Sequence, residues 1–520
     1  MPSFKEAFAL SKDEVRLARP LGTIRVTDYI QSRHDGRSLR HPQPSADSMD
    51  PLNLSFKLKI ASLVCMSTFG FLSNFTSSSI TSAIPLLATP LAFNPPVPVG
   101  RLTHLVAVNA IMLGVSNLLW VPVANTFGRR PVILLGTLLL TVFSIWAAVA
   151  KSFDSLLAAP GTSHGILSPW FREPFHSCPG LITQHKGFYT VFLALGPLVG
   201  GVVGGYIAGN LGIPWINWIN AIISGALFVT CFFFQPETLF NRDDPQPSEV
   251  AEASVGPEKS EDLQEVENIS PLSLSQQRFS YTKSLEVGVY CAALRTQFLR
   301  PFLTLRLPGV WLVMLWYGGL VGGIVALSAV GPTILAMPPY LWGVNAGCIN
   351  VGGIIGVLIG FLTTAVFSDR VISWQSKRSA TACIEAEARL SLAIPGLCLA
   401  VAGLWTFGFC ADHPAPHMWI GMEFGLGMLC FGIMMVPSIG FNYLIESYHH
   451  LAPDAFVAIT FLRGIISFCW TFFVSDWVTN AGAAVPFGVF GGMMGASALL
   501  LIPVLFWGKR MRIATEKWVR

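Results

Sequence analysis

Arg463 and Glu423 are ionisable residues set inside apolar runs, ITFLRGIISF and MEFGLGML. A charge in such a run is costly to place in hydrocarbon and marks a path for ions or solute. Glu423 is a candidate proton or cation site, and Arg463 a candidate partner for an anionic group. Each has a plainer alternative: Arg463 can snorkel to the cytosolic surface, and Glu423, near the outer end of its run, can simply be hydrated. Asn74, Asn109, Asn117, Tyr317, Asn350 and Asn442 are further substrate-path candidates, with bridging between helices as the alternative role of each. Trp316, Tyr317 and the numerous Phe offer aromatic surface to a bulky ligand, or to lipid and core. No GxxxxGK[ST] pattern, metal-ligand spacing or nucleophile–base constellation occurs, so the expectation is no enzyme, no cofactor and no bound metal. The ten Cys show no CxxC spacing and read as small apolar packing groups.

The elements that must position these residues are membrane helices. The 520 residues are 52% hydrophobic and only 12% charged, with a mean hydropathy of +0.57. Soluble domains carry about a quarter charged residues, so a soluble enzyme is excluded and a lipid bilayer is the expected surrounding. Apolar runs long enough to span fall at roughly 60–84, 103–124, 131–150, 187–208 and 215–234, then at roughly 308–332, 343–366, 392–411, 418–444, 455–478 and 485–507. Between the two sets lies 235–305, rich in Ser, Pro and acid, which reads as a disordered cytosolic linker; its last part, 284–305, reads as an amphipathic surface helix or a plain approach to the next span. Residues 1–56 read as a disordered cytosolic N-terminus and 509–520 as a cytosolic tail. The expected divisions are thus a first helix bundle over 57–234 and a second over 306–508. With the N-terminus cytosolic, all Lys and Arg but Arg101, Lys151, Arg172 and Arg463 fall on cytosolic segments. The small net charge of +4 gives no reason to expect nucleic acid.

That parity requires a fourth crossing between 151 and 186, where the sequence is poor. Residues 159–186 hold Pro160, Pro169, Pro174, Pro179, Arg172 and Glu173. A helix-interior proline is worth about 3 kcal/mol against the helix, and a central charge adds about 2.5–3.5 kcal/mol. The segment is either a broken stretch lining a cavity or sequence that does not encode a native helix, as after mis-splicing.

Short motifs carry the mechanism. VPVANTFGRRPVILLG (121–136) places Gly128, Arg129 and Arg130 in a tight cytosolic turn after the second span. The turn resembles the loop motif of the major facilitator superfamily, with Asn125 where that family has an aspartate. TTAVFSDRVISWQSKR (363–378) puts Asp369 and Arg370 after the eighth span, one repeat later. GFYTVFLALGPLVGGVVGGYIAG (187–209) resembles the family's antiporter motif through Gly196, Pro197, Gly200 and Gly201; the alternative is close packing through small residues. Further stretches, among them PETLFNR (236–242) and VPSIGFNYLIESYHHLAPD (436–454), resemble a largely fungal branch of drug:proton antiporter-like and polyamine or cation transporters.

The resemblance implies an all-α, twelve-helix, two-bundle protein with an aberrant fourth helix. It implies alternating-access transport of a small organic solute, with Asn125, Gly128, Arg129, Arg130, Asp369 and Arg370 gating the cytosolic side. The implied activity is proton-coupled efflux of a drug-like compound or secondary metabolite, by a monomer in the plasma membrane. Uptake of a polyamine or other organic cation, and a non-transporting product of a mis-spliced gene, are the alternatives.

Overall fold

The computed structural model describes residues 4–11, 14–15, 18, 23–25, 54–90, 95–164, 179–239, 294–378, 383–448 and 451–519. Its principal helices are α1 (Phe56–Ser79), α2 (Val99–Phe127), α3 (Arg129–Val149), α4 (Phe153–His164), α5 (Pro179–Asn210) and α6 (Ile213–Phe234), then α7 (Pro308–Ala336), α8 (Asn350–Arg378), α9 (Ala393–Asp412), α10 (Met418–Tyr448), α11 (Ala452–Ala481), α12 (Ala484–Leu499) and α13 (Leu501–Val519). Eleven helical stretches among the described residues are long and apolar enough to cross a membrane, the last running through α12 and α13. Chain termini and turns follow local chemistry. Pro308 and Pro453 open α7 and α11, where a missing N–H is harmless. Gly128 joins α2 to α3 with φ 102°, a conformation closed to most side chains, which lets two spans turn on one residue. Gly482 does the same after α11 with φ 79°, and Asp412 of α9 accepts the next N–H, from Ala483, at 2.9 Å.

In the first half α1 packs on α5 and α6, α3 on α6, and α4 on α2 and α3. In the second half α7 packs on α10 and α11, α8 on α10, and α9 on α10 and α12. The main helix pairs joining the halves are α2 with α11, and α5 with α8. The largest apolar core lies in the second half, around Trp316, Leu404, Phe407, Leu429 and Phe487.

Several expectations change outside the spans. The N-terminal segment is not simply disordered: Phe4–Ala9 is helical and packs on α13, and Thr23–Arg25 forms an antiparallel two-strand pair with Cys383–Glu385. The all-α reading therefore carries this small exception. The C-terminal tail is helical to Val519 and holds Arg512 in the interior, 3% exposed. Glu387 takes two hydrogen bonds from Arg512, both at 2.6 Å, and Arg389 pairs with Glu446 at 2.7 Å. An anion buried with its bidentate cation fixes geometry more than it adds stability. Asp369 and Arg370 do not sit in a turn: α8 continues through them to Arg378, leaving Arg370 exposed. Within the supposed linker, 235–239 is ordered and Leu294–Thr304 is a helix packed on α11 and α2. The rest of the linker, 240–293, and residues 165–178 of the expected fourth span lie outside the described residues.

Candidate substrate path

The GRR turn is held by the end of α6. Glu237 accepts the backbone N–H of Arg129 at 3.1 Å and of Arg130 at 3.0 Å, one on each carboxylate oxygen. It also accepts the N–H groups of Thr238 and Leu239 at 2.8 and 2.9 Å. A carboxylate here satisfies the orphan donors at the start of α3 and complements the helix dipole. Arg130 does the reverse for α6: it donates to the carbonyls of Gln235 at 2.8 Å and Phe232 at 2.9 Å, at the helix's C-terminal end. Arg129 reaches Thr238 at 3.4 Å. Gln235 accepts from Ser62 of α1 at 3.1 Å. The turn thus ties α1, α3 and α6 of one half together, and Asn125 stands half-buried beside it.

Glycines set the contacts between helices. On α5, Gly196 and Gly200 lie against backbone carbonyls of α1: a β-carbon on either would come within 2.5 Å of Phe71 O or Phe75 O. The adjoining face of α5 meets the other half. A β-carbon on Gly201 would lie 2.5 Å from Asn350 Nδ2 of α8, and one on Gly205 3.0 Å from the Val344 carbonyl. Ser82, just beyond α1, donates to the Gly201 carbonyl. Pro197 lies inside α5, between these two faces. At the second seam His104 of α2 stacks on Phe472 of α11, with ring centroids 4.4 Å apart and planes 3° from parallel. Further in, Gly114 and Gly464 bring the two backbones together. These contacts run from the middle of the helices to the N-terminal parts of α2 and α8 and the C-terminal parts of α5 and α11, so the halves meet toward one end of the bundle.

Arg463 lies eleven residues into α11, about 16 Å along it at 1.5 Å per residue. It does not snorkel. The side chain is 6% exposed and donates to the Tyr317 hydroxyl of α7 at 2.8 Å, with its guanidinium carbon 4.9 Å from the Tyr317 ring centre. Its Nε has no hydrogen-bond partner among the described residues. Phe441 of α10 meets the Tyr317 ring edge-on at 5.5 Å and the Phe456 ring at 4.9 Å. From the first half Gly114 of α2 lies against the backbone of Phe461 and Gly464, on either side of Arg463, while Tyr189 of α5 is buried against Gly70 of α1. The arrangement offers a fixed cation beside aromatic walls, built from helices of both halves.

The other candidates scatter. Asn109 of α2 is 2% exposed, and its Oδ1 has no hydrogen-bond partner among the described residues. Asn117 donates to the Leu113 carbonyl at 2.9 Å and Asn74 to Gly70 at 3.0 Å, each within its own helix. Asn350 is fully buried in the α5–α8 seam, donating to Gly347 at 3.0 Å. Asn442 is exposed, and Glu423 is half-buried near the outer end of α10. Trp316 serves packing: its indole donates to the Ser497 carbonyl at 2.9 Å from a fully buried position. Sequence reasoning missed Glu237, although its motif was noted; the Arg129 and Arg130 N–H groups it caps are more than a hundred residues away, and only the carboxylate beside a helix end hinted at a capping role.

Comparison with known proteins agrees with this architecture. The sequence profile of the Major Facilitator Superfamily matches residues 66–471. An uncharacterized MFS-type transporter of Schizosaccharomyces pombe is 26% identical, covering 95% of this chain and 93% of its own length. Efflux pump FUB11 of Gibberella moniliformis is 25% identical over 88% of this chain and 73% of its own. Among solved structures, the nucleoside transporter NupG superposes with a TM-score of 0.54 at 13% identity, covering 86% of this chain and all of NupG, a likeness of fold. With a match over most of its length and a two-half helical fold to go with it, the chain belongs to the Major Facilitator Superfamily.

Proposed function

We propose that this secondary transporter exports a small organic solute from the cytosol in exchange for protons, as a monomer in the plasma membrane. The observation that carries the reading is the Arg463–Tyr317 pair, buried where helices of both halves converge. A solute bound there touches α7, α10 and α11 of one half, beside the seam with α2 of the other. Rocking of the halves about the α2–α11 and α5–α8 seams would expose that site to each side in turn. Efflux is supported by the glycine motif on α5 and by a relative that is named an efflux pump.

Cation uptake through Glu423 has less support. Glu423 stands eighteen residues from Phe441 on α10, about 27 Å along the helix from the level of Tyr317. The test is overexpression and deletion in a yeast host with a compound panel, scoring resistance and cellular content. Lowered content of at least one compound, lost when the proton gradient is collapsed, supports the reading. Unchanged content across the panel, or export indifferent to the gradient, refutes it. Sequencing the transcript across 150–190 separates a working carrier from a mis-spliced product.

A further inference from the structure

Charges in the spans cluster at their ends. Among the described spans, Glu423 lies five residues inside α10, Asp476 five from the end of α11, and Glu446, Asp454, Asp412 and Arg101 no more than two from a helix end. Arg463 is the one charged side chain more than eight residues from either end of its span. No carboxylate of the described residues lies within 4 Å of it. Among the described spans, the central zone therefore carries a single fixed charge, and it is positive.

A buried guanidinium cannot shed its proton, so its charge must be met by dipoles or by an anion. Here the Tyr317 hydroxyl takes one donor and the Tyr317 ring faces the guanidinium, while Nε is left without an acceptor. A carboxylate would supply what is missing, since its two oxygens match the guanidinium fork. The Tyr317 ring faces the guanidinium, and Phe441 and then Phe456 continue from it edge to face, an aromatic wall that suits a flat apolar body. A cationic solute would meet repulsion, with no carboxylate of the described residues within 4 Å of the guanidinium to offset it.

We infer that the transported solute is an organic anion, a monocarboxylate on an apolar or aromatic body, whose carboxylate binds the Arg463 guanidinium between the two halves. The inference rests on the transport reading above and specifies the substrate class of that same site.

The test uses the full chain reconstituted in liposomes and three probes of one shape: benzoate, benzamide and benzylamine. The wild-type chain should exchange labelled benzoate at least tenfold faster than either other probe. Arg463→Gln, checked for native elution in size exclusion, should abolish benzoate exchange. Arg463→Lys, which keeps the charge and loses the fork, should retain the preference for benzoate at a rate reduced at least tenfold. A measurement free of variants is phenylglyoxal modification of the wild-type chain, read by mass spectrometry on the peptide bearing Arg463. Benzoate should slow it, and benzamide and benzylamine should not. Exchange of benzylamine in preference to benzoate overturns the anion assignment and leaves the transport reading standing. Benzoate protection of Arg463 without exchange of any probe overturns transport and keeps the anion site. Neither protection nor exchange overturns both, and benzoate exchange by Arg463→Gln at the wild-type rate overturns the assignment to Arg463.

Discussion

Gly114 of α2 and Gly464 of α11 lie backbone to backbone. A β-carbon on Gly114 would sit 3.2 Å from the Gly464 α-carbon, and one on Gly464 would sit 2.9 Å from that of Gly114. This contact lets the two halves close at the seam next to Arg463. The first prediction follows from it. Gly464→Leu forces a side chain into a space with none to give, and overpacking of this kind is worth about 1–3 kcal/mol. Spent on one conformation of a two-state carrier, that is about a 5- to 150-fold shift in population. The variant should insert and express, and a cysteine placed at His104 should be alkylated faster from outside. Unchanged alkylation would mean that the seam does not open.

Two neighbouring glycines of α5 should behave differently. Gly200→Ala meets the Phe75 backbone of α1, which cannot turn aside, so folding yield should fall sharply. Gly201→Ala meets the Asn350 side chain, whose amide can rotate away. That variant should fold and transport more slowly, and adding Asn350→Ala should restore much of the rate. Equal folding yields for the two alanine variants would refute the division of α5 into an internal face and a seam face.

Removing the Glu237 carboxylate with Glu237→Ala strips four backbone N–H groups of an acceptor. An unsatisfied polar group is worth about 1–3 kcal/mol. The apparent melting temperature in detergent should drop by several degrees, with Glu237→Gln intermediate. A melting temperature equal to wild type would show that water replaces the carboxylate without loss.

At the cytosolic face of the second half, Glu387→Ala leaves the Arg512 guanidinium buried without its anion. Breaking such a pair is worth about 3–5 kcal/mol, whereas replacing both partners by apolar residues is often close to neutral. Glu387→Leu combined with Arg512→Met should therefore be more stable than Glu387→Ala alone in thermal unfolding. The reverse order would show that the pair stabilises the fold outright.

The spans were legible because an apolar run of twenty residues has few other fates. The Gly128 turn was legible too, since two spans meeting within a few residues need a glycine. What the sequence could not give was pairing at long range. Glu237 and Arg130 are separated by 107 residues, and nothing local says that a carboxylate after α6 will cap α3. The docking of Phe4–Ala9 on α13 and of Thr23–Arg25 on Cys383–Glu385 spans most of the chain, and polar composition alone reads as disorder. Arg463 was visible as a charge in an apolar run, but its depth depended on where α11 begins. Extending that helix to Ala452 moved the arginine inward and replaced the snorkelling geometry with a bond to Tyr317. Asp369 and Arg370 looked like a second turn because a repeat was expected there, whereas α8 simply continues.

Alternating access through the α2–α11 seam is tested most directly by locking it. Cysteines at His104 and Phe472, whose rings stack 4.4 Å apart at the outer seam, can be bridged by a short reducible bis-thiosulfonate reagent in a background lacking reactive native cysteines. Solute exchange by the reconstituted chain should stop on bridging and return on reduction, while each single cysteine variant stays active under the same treatment. Undiminished exchange by the bridged protein would contradict the account, because the outer side would then never need to open.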